Sequence, residues 1–469
     1  MSWSLKSPVA RQPRVRVATL EVAGPDRVWY PVGSGAQTPA EALPTVPDQP
    51  RERRILLVDC DAFFVQVARL EDPDGAGRAE LLIVGGSATG RGVVTSTSYG
   101  ARAYGVRSAM PTAHALRLCP DATVVGVPRG SVTRRSREVR AALEELAPVV
   151  QAASVDAVYL DLTGPERLFA PETLEETAWR IRAEVLERTS ISVSLGGGSR
   201  RVIAKLAATR AKPAGVHVVP LGSEQAFLNG LELAEIPGIG PSLVDALKAR
   251  GLVRVEDAIG VQEEWLQRWF GERRGAWLYR RVRGVDSSQV DPAERRKSIS
   301  SERTFFRDLE SDDDLERRML ELATSVGSTL RKKGLRARTV TVKLRDHDFR
   351  TRQHSRTVPE AIESNAAIAD VAGTLLAELR AERRVPARLL GVGLSGLVRS
   401  GEERQLALFD DGSAGESDRD RDVSRAVDTL ADRFGHGTVV PGRIVGPSPG
   451  RRTDPSTNAP SPSDDRSKR

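Results

Sequence analysis

Apolar positions in this chain gather into short runs and periodic stretches separated by Gly, Pro and charged residues. The first sustained run, Ile55-Leu56-Leu57-Val58, has the character of a buried strand and ends on Asp59-Cys60-Asp61. Phe63, Phe64, Val67 and Leu70 follow at helical spacing. Residues 81–86 read as a second strand and its turn, and Val93-Val94 open a third. Residues 109–118 read as a helix closed by Cys119-Pro120, and residues 133–147 as a strongly periodic helix. Val149-Val150 and residues 153–162 predict strands around Asp156. Residues 172–188 predict a helix, and residues 191–195 alternate as a strand. The order β-α-β-α-β-β-α-β predicts a mixed α/β domain built around one sheet.

The character changes at Ile236-Pro237-Gly238-Ile239-Gly240, which precedes a helix ending at Ala249-Arg250-Gly251. The helical segment continues to about Val285, and a charged linker covers residues 291–297. Beyond it, strands at 339–344 and 389–394 alternate with helices at 315–332 and 365–384, which predicts a second α/β domain. Residues 422–434 read as a short amphipathic helix. Residues 1–52 and the Pro/Ser/Asp-rich end lack a sustained period and read as disordered.

Composition narrows this picture. A chain of 469 residues is too long for one ordinary core and predicts two to four domains. Seventy basic and 63 acidic side chains leave a net charge of +7, which suits an anionic partner such as nucleic acid and equally suits plain solubility. Two cysteines, Cys60 and Cys119, exclude a disulfide framework and predict a cytoplasmic protein. No apolar run is long enough for a membrane span, and the N-terminus lacks the apolar core of a secretory signal.

Two carboxylates stand out. Phosphoryl transfer needs hard divalent cations, and these are held by carboxylate oxygens. Asp59 ends an apolar strand, and Asp156 lies among Val155, Val158 and Leu160, where a charge is costly unless paired or bound to metal. Acidic residues at strand ends are also commonly just solvated, so the carboxylates alone leave both readings open.

The surrounding motifs resemble those of Y-family DNA polymerases, in particular the bacterial DNA polymerase IV branch. Val58-Asp59-Cys60-Asp61-Ala62-Phe63-Phe64 resembles the family's first motif, and the segment from Val94 to Val106 its triphosphate-contacting segment. Ser154-Val155-Asp156-Ala157-Val158-Tyr159-Leu160-Asp161 resembles the second catalytic motif. Ala204-Lys205-Leu206-Ala207-Ala208 and Ala211-Lys212-Pro213-Ala214-Gly215 resemble the next segment. The resemblance implies an α/β multidomain right hand. Palm and fingers would occupy residues 53–232, a helix-hairpin-helix thumb 233–290, a little finger 295–398 and a tail 399–469.

It also implies a template-directed, error-prone translesion polymerase without proofreading, acting on primer-template DNA and dNTPs as a monomer. Asp59 and Asp156 would be the catalytic ligands of two Mg²⁺ ions, replaceable by Mn²⁺, with the Cys60 carbonyl as a further ligand. Phe64 would be the steric gate against a ribose 2′-hydroxyl. Tyr99, Arg102 and Lys212 would contact the triphosphate. Gly238 and Gly240 would let backbone N–H groups approach a DNA phosphate. Asp61 matches a position that is not usually a ligand.

Gln405-Leu406-Ala407-Leu408-Phe409 resembles a bacterial sliding-clamp peptide, with Gln405, Leu406, Leu408 and Phe409 as anchors. Residues 295–398 carry 21 basic against 15 acidic side chains, and residues 331–356 carry 10 against 2. That density suits tracking of a DNA backbone.

Two positions depart from the family pattern. Ala157 stands where the family has a catalytic Glu, which would weaken the metal site nearest the primer terminus. Ala62 stands where an aromatic is common, which would enlarge the nucleotide pocket. The alternative that Ala157 raises is a catalytically weakened or inactive homologue, acting as a clamp- and DNA-binding accessory protein.

Overall fold

The structure, a computed structural model, describes residues 53–164, 172–293, 296–399 and 416–435, with 438, 439 and 442. A five-stranded sheet has the order β5 (Val149–Ala152), β6 (Ala157–Asp161), β1 (Ile55–Cys60), β7 (Val193–Gly198), β8 (Val216–Val218). The central strand β1 runs antiparallel to both neighbours. Its run is continuously apolar because both faces are covered. Leu56 and Val58 pack with Phe63, Leu143, Leu160, Ile181 and Leu195, under the helices α1 (Phe63–Glu71), α4 (Arg129–Leu146) and α5 (Leu174–Thr189). Ile55 and Leu57 pack on the other side with Tyr159, Ala204, Ala208 and Val290.

Helix α6 (Arg201–Ala211) lies directly on β7. A Cβ on Gly196 would fall 1.9 Å from the Ala208 nitrogen, so only glycine permits this approach. The start of α5 is fixed by a reciprocal cap between Thr173 and Glu176.

Between β1 and β5 the chain makes a small sheet of β2 (Leu82–Gly85), β3 (Val94–Thr97) and β4 (Thr123–Val125), with helices α2 (Tyr99–Ala103) and α3 (Thr112–Leu118). Helices α7 (Glu224–Asn229), α8 (Pro241–Lys248), α9 (Val255–Ile259), α10 (Glu263–Phe270) and α11 (Glu272–Val282) share one core with α6. A four-stranded antiparallel sheet follows, in the order β11 (Thr351–Ile362), β10 (Leu335–Asp346), β12 (Ala387–Arg399), β9 (Ser298–Leu309). Helices α12 (Asp312–Lys332) and α13 (Asn365–Glu382) cover one of its faces. The small sheet reaches this unit through Arg91, whose guanidinium donates to the Phe305 carbonyl at 2.9 Å and pairs with Asp308 at 2.6 Å.

The structure corrects several expectations. The helix expected from residue 109 starts at Thr112, because Ala109 is left-handed at φ 68° and Met110, directly before Pro111, is disfavoured in the helical region. Strands β9 and β11 were not visible as apolar runs, since their open face carries Ser, Thr and charged residues. Asp156 is not inside a strand. It precedes β6 in a turn and is half-buried, and its neighbour Val155 is 39% exposed. Its burial therefore does not itself argue for a metal. Ala62 packs with Val65, Ala68, Leu82 and Val84.

Part of the basic stretch is engaged within the protein. Arg331, Lys332 and Arg336 pair with Asp428, Asp432 and Glu416, at and just before the C-terminal helix α14 (Asp418–Phe434). Arg352 pairs with Asp346, Arg356 with Glu378 and Lys343 with Glu302. The open face of this sheet presents mainly hydroxyls, among them the Thr341–Ser355 pair at 2.8 Å. Ion pairs thus engage six of the ten basic side chains of residues 331–356. Helix α14 docks through polar groups, with Ser424 accepting from the Asn365 nitrogen at 3.0 Å, while Val423, Leu430 and Phe434 stay exposed.

Candidate active site

Antiparallel pairing brings the two singled-out carboxylates to one end of the five-stranded sheet. Asp59 sits near the end of β1, and the Cys60 nitrogen donates to the Asp156 carbonyl at 2.9 Å. Ser154 Oγ donates to Asp156 Oδ1 at 2.5 Å. From the end of α6, Lys212 places Nζ 2.5 Å from Asp59 Oδ1. Burial pushes the Asp59 carboxyl above the ordinary aspartate range. Lys212 opposes that rise, while Asp156 and Asp61 add to it. Asp59 against Lys212, with Asp156 close enough to act on Asp59, leaves negative charge in excess, which suits a hard cation with oxygen ligands. The donor set fits a divalent metal of that kind. Burial pushes the Cys60 thiol up, and its side chain packs into the core with Leu56 and Val58, which leaves the backbone oxygen as the group Cys60 can offer a cation.

Ala157 lies directly opposite Asp59 in the β1–β6 register, on the same sheet face. A third carboxylate would stand there if the residue were Glu. Among the described residues, no group of three or more His, Cys, Asp or Glu could hold a metal.

Tyr99 and Arg102 come from α2, whose start is set by Ser98 accepting from the Ala101 nitrogen. The Arg102 guanidinium lies over the Tyr99 ring, 4.5 Å from its centre, and its Nε donates to the Thr97 carbonyl at 3.2 Å. The Tyr99 hydroxyl donates to Asp61 Oδ1 at 3.3 Å. Burial first, then Asp61, push the Tyr99 phenol up to about 12, so it remains a neutral donor at neutral pH. Phe64 occupies the first turn of α1, half-buried and edge-on to Phe63 at 5.9 Å.

Asp61 is the residue that the sequence reading passed over. It is 4% exposed and takes four hydrogen bonds, from Tyr99, Ser192, Ser194 and the Ala214 nitrogen. Its donors lie up to 153 residues away, so no local pattern reveals them. The one available signal was a second aspartate in a segment otherwise buried.

The two thumb-motif glycines separate in role. Gly238 has φ +100°, and a Cβ there would meet the Trp277 ring at 2.6 Å. Gly240 caps α8 with open space beside it. Both glycines are exposed, and the space beside the Cα is open only at Gly240. Residues 405–409 lie outside the described residues.

Comparison with known proteins follows the same order along the chain. The impB/mucB/samB family matches residues 58–209, and its C-terminal domain matches residues 296–408. Between them, residues 234–286 match the thumb domain of DNA polymerase-iota. DNA polymerase IV of Desulfatibacillum aliphaticivorans is 37% identical over 394 residues, covering 84% of this chain and 97% of that protein. DNA polymerase IV of Alkalilimnicola ehrlichii is 39% identical over 364 residues, covering 76% and 99%. Among solved structures, a Y-family DNA polymerase chimera of Dbh and Dpo4 superposes with a TM-score of 0.67 at 25% identity, over 74% of this chain and 99% of that one. An insertion ternary complex of Dbh DNA polymerase gives 0.54 at 25% identity, with the same coverage.

Proposed function

The chain belongs to the Y family of DNA polymerases, and on that premise we propose how its residues carry out template-directed translesion synthesis. It is a DNA-directed DNA polymerase that acts on primer-template DNA and a dNTP. The reaction is attack of the primer 3′-hydroxyl on the α-phosphate of the dNTP, with release of pyrophosphate.

We assign palm and fingers to residues 53–232, thumb to 233–290 and little finger to 295–398. Asp59 and Asp156, with the Cys60 carbonyl, would hold two Mg²⁺ ions, with Mn²⁺ as a substitute. When bound, such ions neutralise triphosphate charge and assist deprotonation of the attacking hydroxyl. Lys212 holds Asp59 in place and offers its remaining donors to a phosphate. Tyr99 and Arg102 give a neutral and a charged donor on one short helix. Phe64 would close the sugar pocket against a 2′-hydroxyl. Gly240 at the start of α8 would receive a DNA phosphate. Gln405, Leu406, Leu408 and Phe409 would engage a sliding clamp and raise the local concentration of enzyme at DNA. We take the enzyme to be a cytoplasmic monomer. No helix among the described residues is long and apolar enough to cross a membrane.

The observation that carries this reading is the convergence of Asp59, Asp156 and Lys212 from three separate segments. Primer extension by the purified protein with Mg²⁺ or Mn²⁺ tests it, with Asp156→Ala as the inactive control. Extension lost in that variant supports the assignment. No extension by the unaltered protein under either metal would leave only the accessory role that Ala157 suggests.

A further inference from the structure

We propose that Asp61 is a positioning residue that ties together the two phosphate-contacting walls of the site, and that it does not replace the absent carboxylate at position 157. The proposal rests on the polymerase reading above and adds a role to a residue outside its ligand set. Asp61 follows β1 directly and is almost fully buried.

Each of its carboxylate oxygens receives two donors. Oδ1 accepts from Ser194 Oγ at 2.7 Å and from the Tyr99 hydroxyl at 3.3 Å. Oδ2 accepts from Ser192 Oγ at 2.9 Å and from the Ala214 nitrogen at 3.0 Å. A carboxylate offers about four acceptor positions, and all four are taken. No oxygen is left for a cation, which separates Asp61 from Asp59 and Asp156.

Its donors come from three places. Tyr99 belongs to α2, beside the small sheet. Ser192 and Ser194 lie at the start of β7. Ala214 lies two residues after Lys212, in the loop that follows α6. A single buried charge therefore fixes the Tyr99 ring, over which Arg102 stacks, relative to the loop that carries Lys212. Charge-assisted bonds in a site closed to water are strong and directional. The arrangement sets the spacing between the two phosphate contacts before a nucleotide arrives, so less order must be imposed on binding.

The test is steady-state primer extension with the full chain, separating KM for dNTP, kcat and the Mn²⁺ concentration for half-activation. Asp61→Ala is expected to raise KM for dNTP about tenfold or more, with the Mn²⁺ requirement little changed. Asp61→Asn is expected to recover most of that loss. Its amide oxygen can still accept from Ala214 and Ser192, and the Tyr99 and Ser194 hydroxyls can turn to accept from its NH₂. Tyr99→Phe keeps the ring, removes the hydroxyl and with it the bond to Asp61, and is expected to raise KM without moving the Mn²⁺ requirement, with Asp61→Ala adding less in that background than it does alone. If Asp61→Ala does not fold, the Asn and Phe variants still decide.

Three results would overturn the proposal. One is an unchanged KM in Tyr99→Phe. Another is an unchanged KM in a folded Asp61→Ala protein. The last is an Asp61→Asn protein whose Mn²⁺ requirement rises sharply, the signature of a metal ligand. Should the unaltered protein extend no primer, thermal stabilisation by dATP with Ca²⁺ gives an independent readout. Loss of that stabilisation in Tyr99→Phe supports the proposal, and its retention overturns it.

Discussion

Ala157→Glu should make this polymerase faster and, without metal, less stable. Position 157 pairs directly with Asp59 on one face of the sheet, so the two Cβ atoms lie about 5 Å apart. Ala157 is only partly buried, which leaves room for a longer side chain. Removing one preorganised electrostatic group from an active site typically costs ~10²–10³ in kcat. Supplying the missing one should gain a substantial part of that factor, equivalent to about 3–4 kcal/mol of barrier.

The same carboxylate repels Asp59 in the metal-free protein. Two unit charges about 5 Å apart at an effective dielectric of about 20 interact by about 3 kcal/mol, an upper value because Lys212 and solvent screen the pair. Single-turnover extension at saturating dNTP measures the rate, and thermal unfolding in chelator and in Mg²⁺ measures the repulsion. Ala157→Gln, of equal size and no charge, is the control. A folded Glu variant no faster than the unaltered protein would refute the reasoning, as would a Gln variant that matches it.

Phe64→Ala should raise ribonucleotide incorporation by about tenfold or more, read from competition between a dNTP and its rNTP. Unchanged sugar selectivity would remove Phe64 as the gate. Deleting residues 405–409 should abolish binding to a bacterial sliding clamp while leaving clamp-free primer extension intact. Retained affinity in a pull-down or titration would place the contact elsewhere. Gly196→Ala should destabilise the protein by about 1–3 kcal/mol or prevent folding, because its methyl meets the backbone of α6 with no side chain able to move aside. An unchanged unfolding midpoint would show that β7 and α6 lie further apart than described.

The legible parts of the fold were those in which burial writes a pattern into neighbouring residues. Strand β1 declared itself through four consecutive apolar side chains because both of its faces are covered. Helix α5 declared itself through its period and is further fixed by its cap. Helix α6 escaped notice because Ala204, Ala207 and Ala208 pack close to a glycine strand and show no strong amphipathic stripe. Strand β11 escaped because it is an edge strand whose open face is polar and whose order comes from pairing with β10. Helix α2 is five residues long, too short for a period, and is set by Ser98.

Of the candidate site, Asp59, Asp156 and Lys212 were singled out through their motifs, and the structure brings them together. Tyr99 and Arg102, singled out as triphosphate contacts, sit side by side. Asp61 could not be recovered, since its role consists of contacts between distant segments.

The central place of β1 has a consequence for synthesis. Asp59 is made 153 residues before Lys212, the side chain that holds it. At about 5–20 residues per second, the ribosome needs roughly 8–30 s to supply that partner. Until residue 161 is made, Ile55-Leu56-Leu57-Val58 has neither neighbouring strand complete, and until residue 198 it still lacks β7. An apolar strand with two unpaired edges is an aggregation hazard. Nascent chains of this protein therefore need shelter until β7 emerges, and any fragment that stops before residue 193 carries the catalytic strand as a liability.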